Sequence, residues 1–298
     1  MKILLIGKDG QIGKSLCNIL KKNHEIFSIG KKECNLQKEK EIVYSLKNSK
    51  ADLVINAAAF TDLEKAEDNP KQAFLINSDA VGIISSITKE KDIPFIHYST
   101  DFVFDGKKIG KYLEEDVANP INIYGKSKLS GEENSKINNK HIIIRTSRVY
   151  ASFGNNFINK IFDLSERKNK LKIINDQIGT PTSADLIAKT TNNLVDFLFD
   201  NTEEDIYGTY HLVAEGSTSW YDYSKLIVEE IVNNNYKLKL SVNDIDAISS
   251  ADYNSKVNRP KNSVLSTEKI KSILSLEIPR WEDDVRKTIK KIIKNKLK

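Results

Sequence analysis

Tyr124 and Lys128 are four residues apart in a segment, 122–137, whose pattern predicts a helix, so both side chains lie on one helix face. A tyrosine near its ordinary pKa of about 10 is a poor acid or base at neutral pH. A neighbouring ammonium lowers that pKa and makes proton transfer with a carbonyl oxygen practicable. Thr100, at the end of a predicted strand, can hydrogen-bond the same oxygen. The pattern predicts Thr100, Tyr124 and Lys128 as catalytic residues.

The same Tyr-x-x-x-Lys spacing also occurs by chance on ordinary helix faces that do no chemistry. Two further features favour the catalytic interpretation in this chain. One is the Ser99-Thr100 pair at a strand end, and the other is a glycine-rich segment near the N-terminus.

That glycine-rich segment is GKDGQIG, residues 7–13, which follows a predicted strand and opens a predicted helix. In this context Gly7 allows a tight turn, Gly10 lets the backbone approach a pyrophosphate, and Gly13 permits close packing of helix on strand. The N–H groups at the helix N-terminus favour phosphate. The spacing is GxxGxxG rather than GxGxxG, and a glycine turn without a ligand is the alternative. We expect a dinucleotide site.

The residues after the second predicted strand bear on which dinucleotide is bound. A carboxylate about 20 residues beyond the glycines usually holds the ribose 2′-hydroxyl of NAD. Here the strand is followed by Lys31 and Lys32, which suit a 2′-phosphate and therefore NADPH. The alternative is that both lysines are simply solvated. The prediction is NADPH, with NADH left open.

The predicted elements alternate along the first half of the chain. Apolar runs predict strands at 2–7, 25–30, 52–58, 94–99 and 141–149, and amphipathic stretches predict helices at 10–23, 38–49, 70–91 and 122–137. Repeated strand–helix–strand units form a doubly wound parallel (Rossmann) sheet, so the fold class is α/β.

The second half is less regular. It predicts helices near 155–168, 183–199, 219–234 and 281–296, short strands at 171–174 and 208–213, and a loop at 176–182. We therefore expect an NAD(P)-binding domain over 1–150 and a smaller, interleaved α/β lobe over 151–298, with segments that return to the first domain.

Composition excludes several classes of protein. The chain has 298 residues, 39% of them hydrophobic, and a net charge of +5. No apolar run approaches the roughly 20 residues of a membrane helix, and the N-terminus predicts a strand rather than a signal peptide. Two isolated cysteines favour a cytoplasmic protein, and four scattered histidines predict no metal site. The lysine-rich end, 287–298, predicts a solvated helix face rather than a nucleic-acid site.

At these motifs the chain resembles the extended short-chain dehydrogenase/reductases, and among them the dTDP-4-dehydrorhamnose reductase family. The resemblance extends over almost the whole chain. It is carried by GKDGQIG (7–13), NAAAFTDLEKAE (56–67), HYSTDFVFDG (97–106), YGKSKLSGE (124–132), RTSRVY (145–150), GNNF (154–157), DQIGTPT (176–182), GTYHLV (208–213), GSTSW (216–220) and RPKNSVL (259–265).

The resemblance implies NADPH-dependent reduction of a nucleotide-linked 4-keto-6-deoxy sugar. The expected reaction converts dTDP-4-dehydro-L-rhamnose to dTDP-L-rhamnose for cell-surface polysaccharide such as lipopolysaccharide or capsule. The lobe over 151–298 would then mainly bind the sugar nucleotide. Expected partners are this substrate and a second copy of the chain, with no nucleic acid and no membrane. The residues indicate no Mg²⁺ site, although the resemblance admits Mg²⁺.

The resemblance also assigns roles to residues, with Tyr124 as proton donor. With Lys31 included, the residues expected to bind the cofactor are thirteen in number. They are Gly7, Gly10, Gln11, Ile12, Lys31, Asn35, Leu36, Ala58, Ala59, Thr61, Tyr98, Tyr124 and Lys128. Those expected to bind the substrate are Thr100, Asp101, Arg148, Asn156 and Arg259.

Two positions depart from the family pattern. Asn35 stands where the family commonly has an aspartate near the adenine, which leaves the choice of cofactor open. Arg148 stands where the family often has a tryptophan that contacts the sugar, which leaves the exact sugar open. An arginine at a strand end can fork onto a sugar hydroxyl or a phosphate. The alternative for Arg148 is a structural ion pair with a nearby carboxylate.

Three rival functions remain. A sugar-nucleotide dehydratase needs an acid/base pair of the Thr-Asp-Glu type, whereas this chain has Phe102 after Thr100-Asp101, and a phenyl ring transfers no proton. A non-catalytic subunit, like the regulatory subunit of methionine adenosyltransferase, would not need Thr100, Tyr124 and Lys128 together. A reductase of a different nucleotide-linked keto sugar is the third.

Overall fold

A computed structural model describes residues 1–200 and 206–297. The strands are β1 (Lys2–Ile6), β2 (Glu25–Ile29), β3 (Leu53–Asn56), β4 (Phe95–Thr100), β5 (His141–Thr146), β6 (Val149–Tyr150), β7 (Leu171–Ile174), β8 (Ile178–Gly179), β9 (Thr182–Ser183), β10 (Gly208–His211), β11 (Thr218–Ser219) and β12 (Ile245–Ile248). Six of them form one parallel sheet in the order β10-β5-β4-β3-β1-β2. The predicted doubly wound α/β fold is confirmed.

Helices cover both faces of this sheet. They are α1 (Gln11–Leu20), α2 (Glu39–Lys47), α3 (Leu63–Asp68), α4 (Pro70–Phe74), α5 (Ala80–Glu90), α6 (Ile123–Ser135), α7 (Phe157–Arg167), α8 (Ala184–Asp200), α9 (Trp220–Asn233), α10 (Glu268–Leu274) and α11 (Trp281–Lys296). No helix in the described parts of the chain is long and apolar enough to cross a membrane.

The core explains why β1 is apolar at four consecutive positions rather than at alternate ones. Ile3 and Leu5 of β1 pack into the cluster that includes Leu16 of α1, whereas Leu4 and Ile6 pack into the cluster under α2 and α5. Because helices cover both faces, every side chain of a central parallel strand is buried. The unbroken apolar run KILLI is the sequence signature of such a strand.

The helix predicted over 70–91 is interrupted in the structure. Between α4 and α5 the chain forms a π-helical turn, Leu75–Asp79. Within it, the Asn77 side chain accepts a hydrogen bond from the N–H of Phe60 and donates to the carbonyl of Phe60. The wider turn carries a buried amide that holds the loop after β3.

The strand predicted over 141–149 is also broken. β5 ends at Thr146 and β6 begins at Val149, because Arg148 adopts a left-handed conformation with φ of 45°. The predicted loop over 176–182 contains β8 and β9, and α3, β11, β12 and α10 have no counterpart among the predictions. Two-residue strands are too short for any periodicity to mark them.

The second half of the chain contributes to the main sheet as well as to smaller sheets. β10 pairs with β5 in the main sheet, and α8 packs on α1. Lysines of α11 form ion pairs with acidic neighbours, Lys291 with Asp185 and Lys296 with Asp163, so part of the basic face is neutralised. Residues 201–205 and Lys298 of the predicted second lobe lie outside the described residues.

Candidate active site

A cleft of about 640 Å³ lies at the carboxyl ends of the central strands. The strand order reverses between β1 and β3, which is where ligands bind in open α/β sheets. A second pocket, of about 240 Å³, shares Gly7, Lys31, Ala58 and Ala59 with this cleft. Each residue predicted to bind the cofactor lines one of these two pockets. The structure therefore brings the predicted cofactor residues together.

The glycine-rich loop has the shape that a dinucleotide requires. Gly7 has φ of +94°, and a Cβ there would lie 2.6 Å from the backbone nitrogen of Ala58. A Cβ on Gly13 would lie 2.0 Å from the carbonyl oxygen of Gly7. No side chain caps α1 at Gly10, so the first turn keeps backbone N–H groups for a phosphate. These observations fit the pyrophosphate of NADPH.

The smaller pocket lies beside the loop that follows β2, where the adenosine part of the cofactor is expected. Asn35 is partly buried and lines this pocket, and its side-chain oxygen accepts a hydrogen bond from the N–H of Gln37. Glu33 accepts hydrogen bonds from Lys8 and from the N–H of Gly30, which fixes the loop. Lys31 is exposed and lines both pockets. The role of Glu33 in holding this loop is absent from the predictions.

Tyr124 is positioned by the first turn of α6. Asn122 caps the helix by accepting a hydrogen bond from the N–H of Gly125 at 2.8 Å. A Cβ on Gly125 would lie 2.2 Å from the carbonyl oxygen of Phe102, so the glycine lets α6 approach the end of β4. The rings of Phe102 and Tyr124 meet edge to face. The approach places Tyr124 beside Thr100, and both residues line the cleft.

The protonation of Tyr124 differs from the expectation. The prediction that Lys128 lowers the pKa of Tyr124 is wrong for this structure, because burial raises that pKa to about 12. Lys128 Nζ donates a hydrogen bond of 2.6 Å to the carbonyl of Tyr98 and lies 3.1 Å from Nε2 of His97. Burial lowers the pKa of Lys128 to about 8. At neutral pH Tyr124 therefore keeps the proton that a general acid must give.

Asp101 is a buried carboxylate at the same strand end. It accepts hydrogen bonds from Ser147 at 2.7 Å and from Thr100 at 3.0 Å. Burial raises its pKa, and these hydrogen bonds and the charge of Arg148 oppose the rise. Asp101 thereby fixes the hydroxyl of Thr100 at the floor of the cleft.

Arg148 lines the cleft, but its side chain is largely engaged within the protein. Its terminal nitrogens donate to the carbonyls of Thr218 and Gln177 at 2.9 and 2.8 Å. The guanidinium lies 4.0 Å from the ring centre of Trp220, and burial lowers its pKa to about 10. Arg148 was expected either to contact a sugar hydroxyl or phosphate or to form a structural ion pair with a carboxylate. Neither expectation describes this arrangement fully, because two backbone carbonyls and an aromatic ring hold the side chain.

The other two predicted substrate residues lie outside the cleft lining. Asn156 caps α7, and its amide nitrogen donates to Gln11 at 2.8 Å and to the carbonyl of Ala151. Arg259 lies next to Asn258, whose carbonyl accepts a hydrogen bond from Asn122. Within the described residues, Nε of Arg259 is buried and has no hydrogen-bond partner. The structure brings Thr100, Asp101 and Arg148 together, but not Asn156 and Arg259.

Two buried side chains behind Lys128 are missing from the predictions. His97 and Asn56 have no solvent exposure, and they lie 3.2 Å apart. The signal in the sequence is His97 itself, which stands two residues before the Ser99-Thr100 pair in an otherwise apolar strand. Such a position predicts a buried core residue rather than a functional one.

The resemblance admits Mg²⁺. Within 1–200 and 206–297, no group of three or more His, Cys, Asp or Glu side chains is arranged to hold a metal ion.

The family model described as the RmlD substrate binding domain matches residues 1–294. The chain belongs to this family. It is 37% identical to the dTDP-4-dehydrorhamnose reductase of Escherichia coli (strain K12) over 297 residues, which are 98% of each chain.

Solved structures of dTDP-4-dehydrorhamnose reductases superpose on this chain over nearly its whole length. A dTDP-4-dehydrorhamnose reductase ortholog from Clostridium acetobutylicum superposes with a TM-score of 0.88 at 30% identity, covering 98% of this chain and 100% of that one. The Bacillus anthracis reductase in complex with NADP superposes with a TM-score of 0.86 at 27% identity, covering 97% and 99%.

Proposed function

We propose that this chain is an NADPH-dependent reductase that converts dTDP-4-dehydro-L-rhamnose to dTDP-L-rhamnose for cell-surface polysaccharide. The observation that carries the proposal is the meeting of Thr100, Tyr124 and Lys128 in a cleft that also contains the glycine-rich loop. The names of the relatives in the RmlD family support the same activity. We place the reaction in the cytoplasm.

The chain's own residues account for the proton chemistry. Bound NADPH supplies the hydride, and the residues that would hold it are those lining the two pockets, from Gly7 to Lys128. Negative charge develops on the keto oxygen as the reaction proceeds. Tyr124 presents its hydroxyl group to that oxygen, and Thr100 adds a second donor when its hydroxyl proton turns from Asp101 to the substrate, so both stabilise the charge where it forms. Tyr124 gives its proton, and the raised pKa means that the proton is present at neutral pH.

Substrate binding extends from the keto group toward the diphosphate. Thr100, Asp101 and Arg148 lie in the cleft and contact the sugar in this proposal. Arg259 lies outside the cleft lining, and its Nε is buried without a protein partner in the described chain, so in this proposal its side chain turns toward a phosphate when substrate is present. Asn156 acts indirectly, since its amide holds Gln11 of the glycine-rich loop. The division near residue 150 and a homodimer remain predictions, the latter testable by sedimentation.

The structure gives no support to a dehydratase. The ring of Phe102 packs edge to face on Tyr124 at 5.8 Å between ring centres, so the position after Asp101 offers no proton-transfer group. A regulatory subunit would need neither the capped helix that positions Tyr124 nor the buried Lys128. The reductase is therefore preferred.

The test is NADPH oxidation by the purified protein with a panel of nucleotide-linked 4-keto sugars. We expect the highest kcat/KM with dTDP-4-dehydro-L-rhamnose. A higher kcat/KM with another keto sugar would replace the substrate but keep the reaction. No turnover with any member of the panel, while NADPH still binds, would favour the regulatory subunit.

A further inference from the structure

A chain of buried polar groups runs behind Lys128 and connects two strands to α6. Asn56 of β3 lies 3.2 Å from Nδ1 of His97 on β4, and Nε2 of His97 lies 3.1 Å from Nζ of Lys128. His97 and Asn56 are fully buried, and Lys128 is 1% exposed. None of these contacts with His97 is needed to place Tyr124, so they call for a separate explanation.

The orientation of the Asn56 amide fixes the tautomer of His97. Its oxygen accepts a hydrogen bond of 3.1 Å from the N–H of Ala58, and a backbone N–H can only donate. The amide nitrogen of Asn56 must then face His97, so Nδ1 accepts and the ring proton lies on Nε2. Burial lowers the pKa of His97 well below its ordinary value, so the ring is neutral.

This tautomer presents an N–H, rather than a lone pair, to Nζ. A neutral amine accepts such a hydrogen bond, whereas an ammonium has no lone pair and places two N–H groups against each other. Satisfying an ammonium instead requires the ring proton to move to Nδ1 and the Asn56 amide to turn, which breaks the bond to Ala58. The contact therefore favours the neutral form of Lys128.

The remaining groups around Lys128 do not cancel this effect. The carbonyl of Tyr98 accepts from either form of the amine. Glu132, one turn along α6, favours the ammonium, but Arg145 binds both of its carboxylate oxygens and Ser99 binds one. Tyr124, on the preceding turn, is uncharged at neutral pH.

We infer that Asn56 and His97 are positioning residues that make Lys128 release its proton readily, by offering Nζ an N–H donor from a fixed histidine tautomer. For catalysis the inference rests on the proposed function: a Lys128 that releases its proton easily can restore the proton that Tyr124 has given. The rate should then fall as Lys128 loses its proton above a pH of about 8.

The direct test is nitrogen NMR of the histidine rings in the cofactor-free protein, which has four histidines. We expect His97 to be neutral, with its proton on Nε2, between about pH 6 and pH 8. In Asn56→Asp, a carboxylate faces Nδ1 and should move the proton to Nδ1. A proton on Nδ1 in the wild type, or a charged ring in this range, would overturn the inference. The readout does not depend on turnover, so it separates this inference from the proposed function.

The pH dependence of kcat/KM provides the second readout. Asn56→Asp and His97→Gln each offer Nζ an acceptor, so both should move the alkaline fall in rate upward by about one to two pH units, the effect of one hydrogen bond to a charged group. His24→Gln is the matched control, because His24 lies just before β2 and pairs with Asp196 of α8. Lower melting temperatures without any shift of the alkaline fall would show that Asn56 and His97 are only structural.

Discussion

The two walls of the cleft are built in different ways. The cofactor wall consists of backbone, in which the glycine-rich loop turns at Gly7 and α1 approaches it at Gly13. The sugar wall depends on one side chain, Arg148, whose guanidinium ties the carbonyls of Gln177 and Thr218 to the end of β5. The glycine-rich loop of the cofactor wall is formed by residues within seven positions of one another, whereas the sugar wall joins segments 29 and 70 residues from Arg148.

This difference affects how the two walls can change. A backbone cradle tolerates few substitutions, because a Cβ at Gly7 or Gly13 would clash with main-chain atoms. A wall held by one arginine can be altered by a single substitution while the fold is retained. We therefore expect cofactor binding to be uniform among close relatives and the sugar pocket to be the adaptable part. Substitutions between the two walls, and on each of them, test the comparison.

The largest effect is expected at the point where the walls meet. Tyr124→Phe keeps the ring against Phe102 but removes the proton, so kcat should fall about 10²–10⁴-fold, the usual contribution of a general acid. NADPH binding, measured by fluorescence titration, should change little. Tyr44→Phe is the control, since Tyr44 is 73% exposed on α2. If Tyr124→Phe kept more than half the wild-type kcat, Tyr124 would not be the proton donor.

On the sugar wall, Arg148→Ala removes two hydrogen bonds and the contact with Trp220. We expect KM for the sugar nucleotide to rise and kcat/KM to fall roughly 10- to 100-fold, as for one lost charged hydrogen bond of about 1.5–3 kcal/mol. KM for NADPH should stay almost unchanged. The melting temperature should also fall, because two carbonyls lose their partners. Unchanged sugar kinetics with a lowered melting temperature would limit Arg148 to a structural role.

On the cofactor wall, Gly13→Ala places a methyl group 2.0 Å from the carbonyl oxygen of Gly7. Since only backbone movement can relieve this clash, NADPH affinity should fall at least about tenfold, with a stability loss of about 1–3 kcal/mol. Gly82→Ala on α5 is the control, because its nearest contact is the flexible Asn134 side chain at 3.4 Å. Equal affinities for the two variants would mean that the close approach at Gly13 does not matter.

The smallest effect concerns the choice of cofactor. Lys31 lines both pockets, whereas Lys32 lines neither, so only Lys31→Ala should reduce the preference for NADPH over NADH. Because Lys31 is exposed, the change in the ratio of kcat/KM values should be about two- to fivefold. An equal effect of Lys32→Ala, or none from either variant, would assign the preference to another part of the loop.

The same contrast explains what the sequence could predict. The glycine spacing, the apolar strands and the Tyr-x-x-x-Lys pair are local patterns, and the sheet, the glycine-rich loop and the catalytic pair followed from them. The other cofactor residues were expected from the family resemblance. Contacts between distant segments have no such pattern, so the bonds from Arg148 to Thr218 and from Asn156 to Gln11 were not predicted. The raised pKa of Tyr124 was missed because spacing says nothing about burial.

Buried polar residues were the other source of error. Asn77 sits within a helical pattern, but its bonds to Phe60 accompany a π-helical turn. His97 sits in an apolar strand, where it gave no sign of its contact with Lys128. The local pattern was right about β4 but missed the interruption of the predicted helix at Asn77, and it was uninformative about both side chains.

The central claim is that hydride reaches the keto carbon of the sugar while Tyr124 supplies the proton. The most direct measurement is the reaction of dTDP-4-dehydro-L-rhamnose with NADPH that carries deuterium at its transferable position, followed by NMR of the product. With the wild type we expect one deuterium at the former keto carbon of dTDP-L-rhamnose. With Tyr124→Phe we expect this labelling to be slower by at least about a hundredfold. Product without deuterium at that carbon, or labelling at the wild-type rate in the variant, would contradict it.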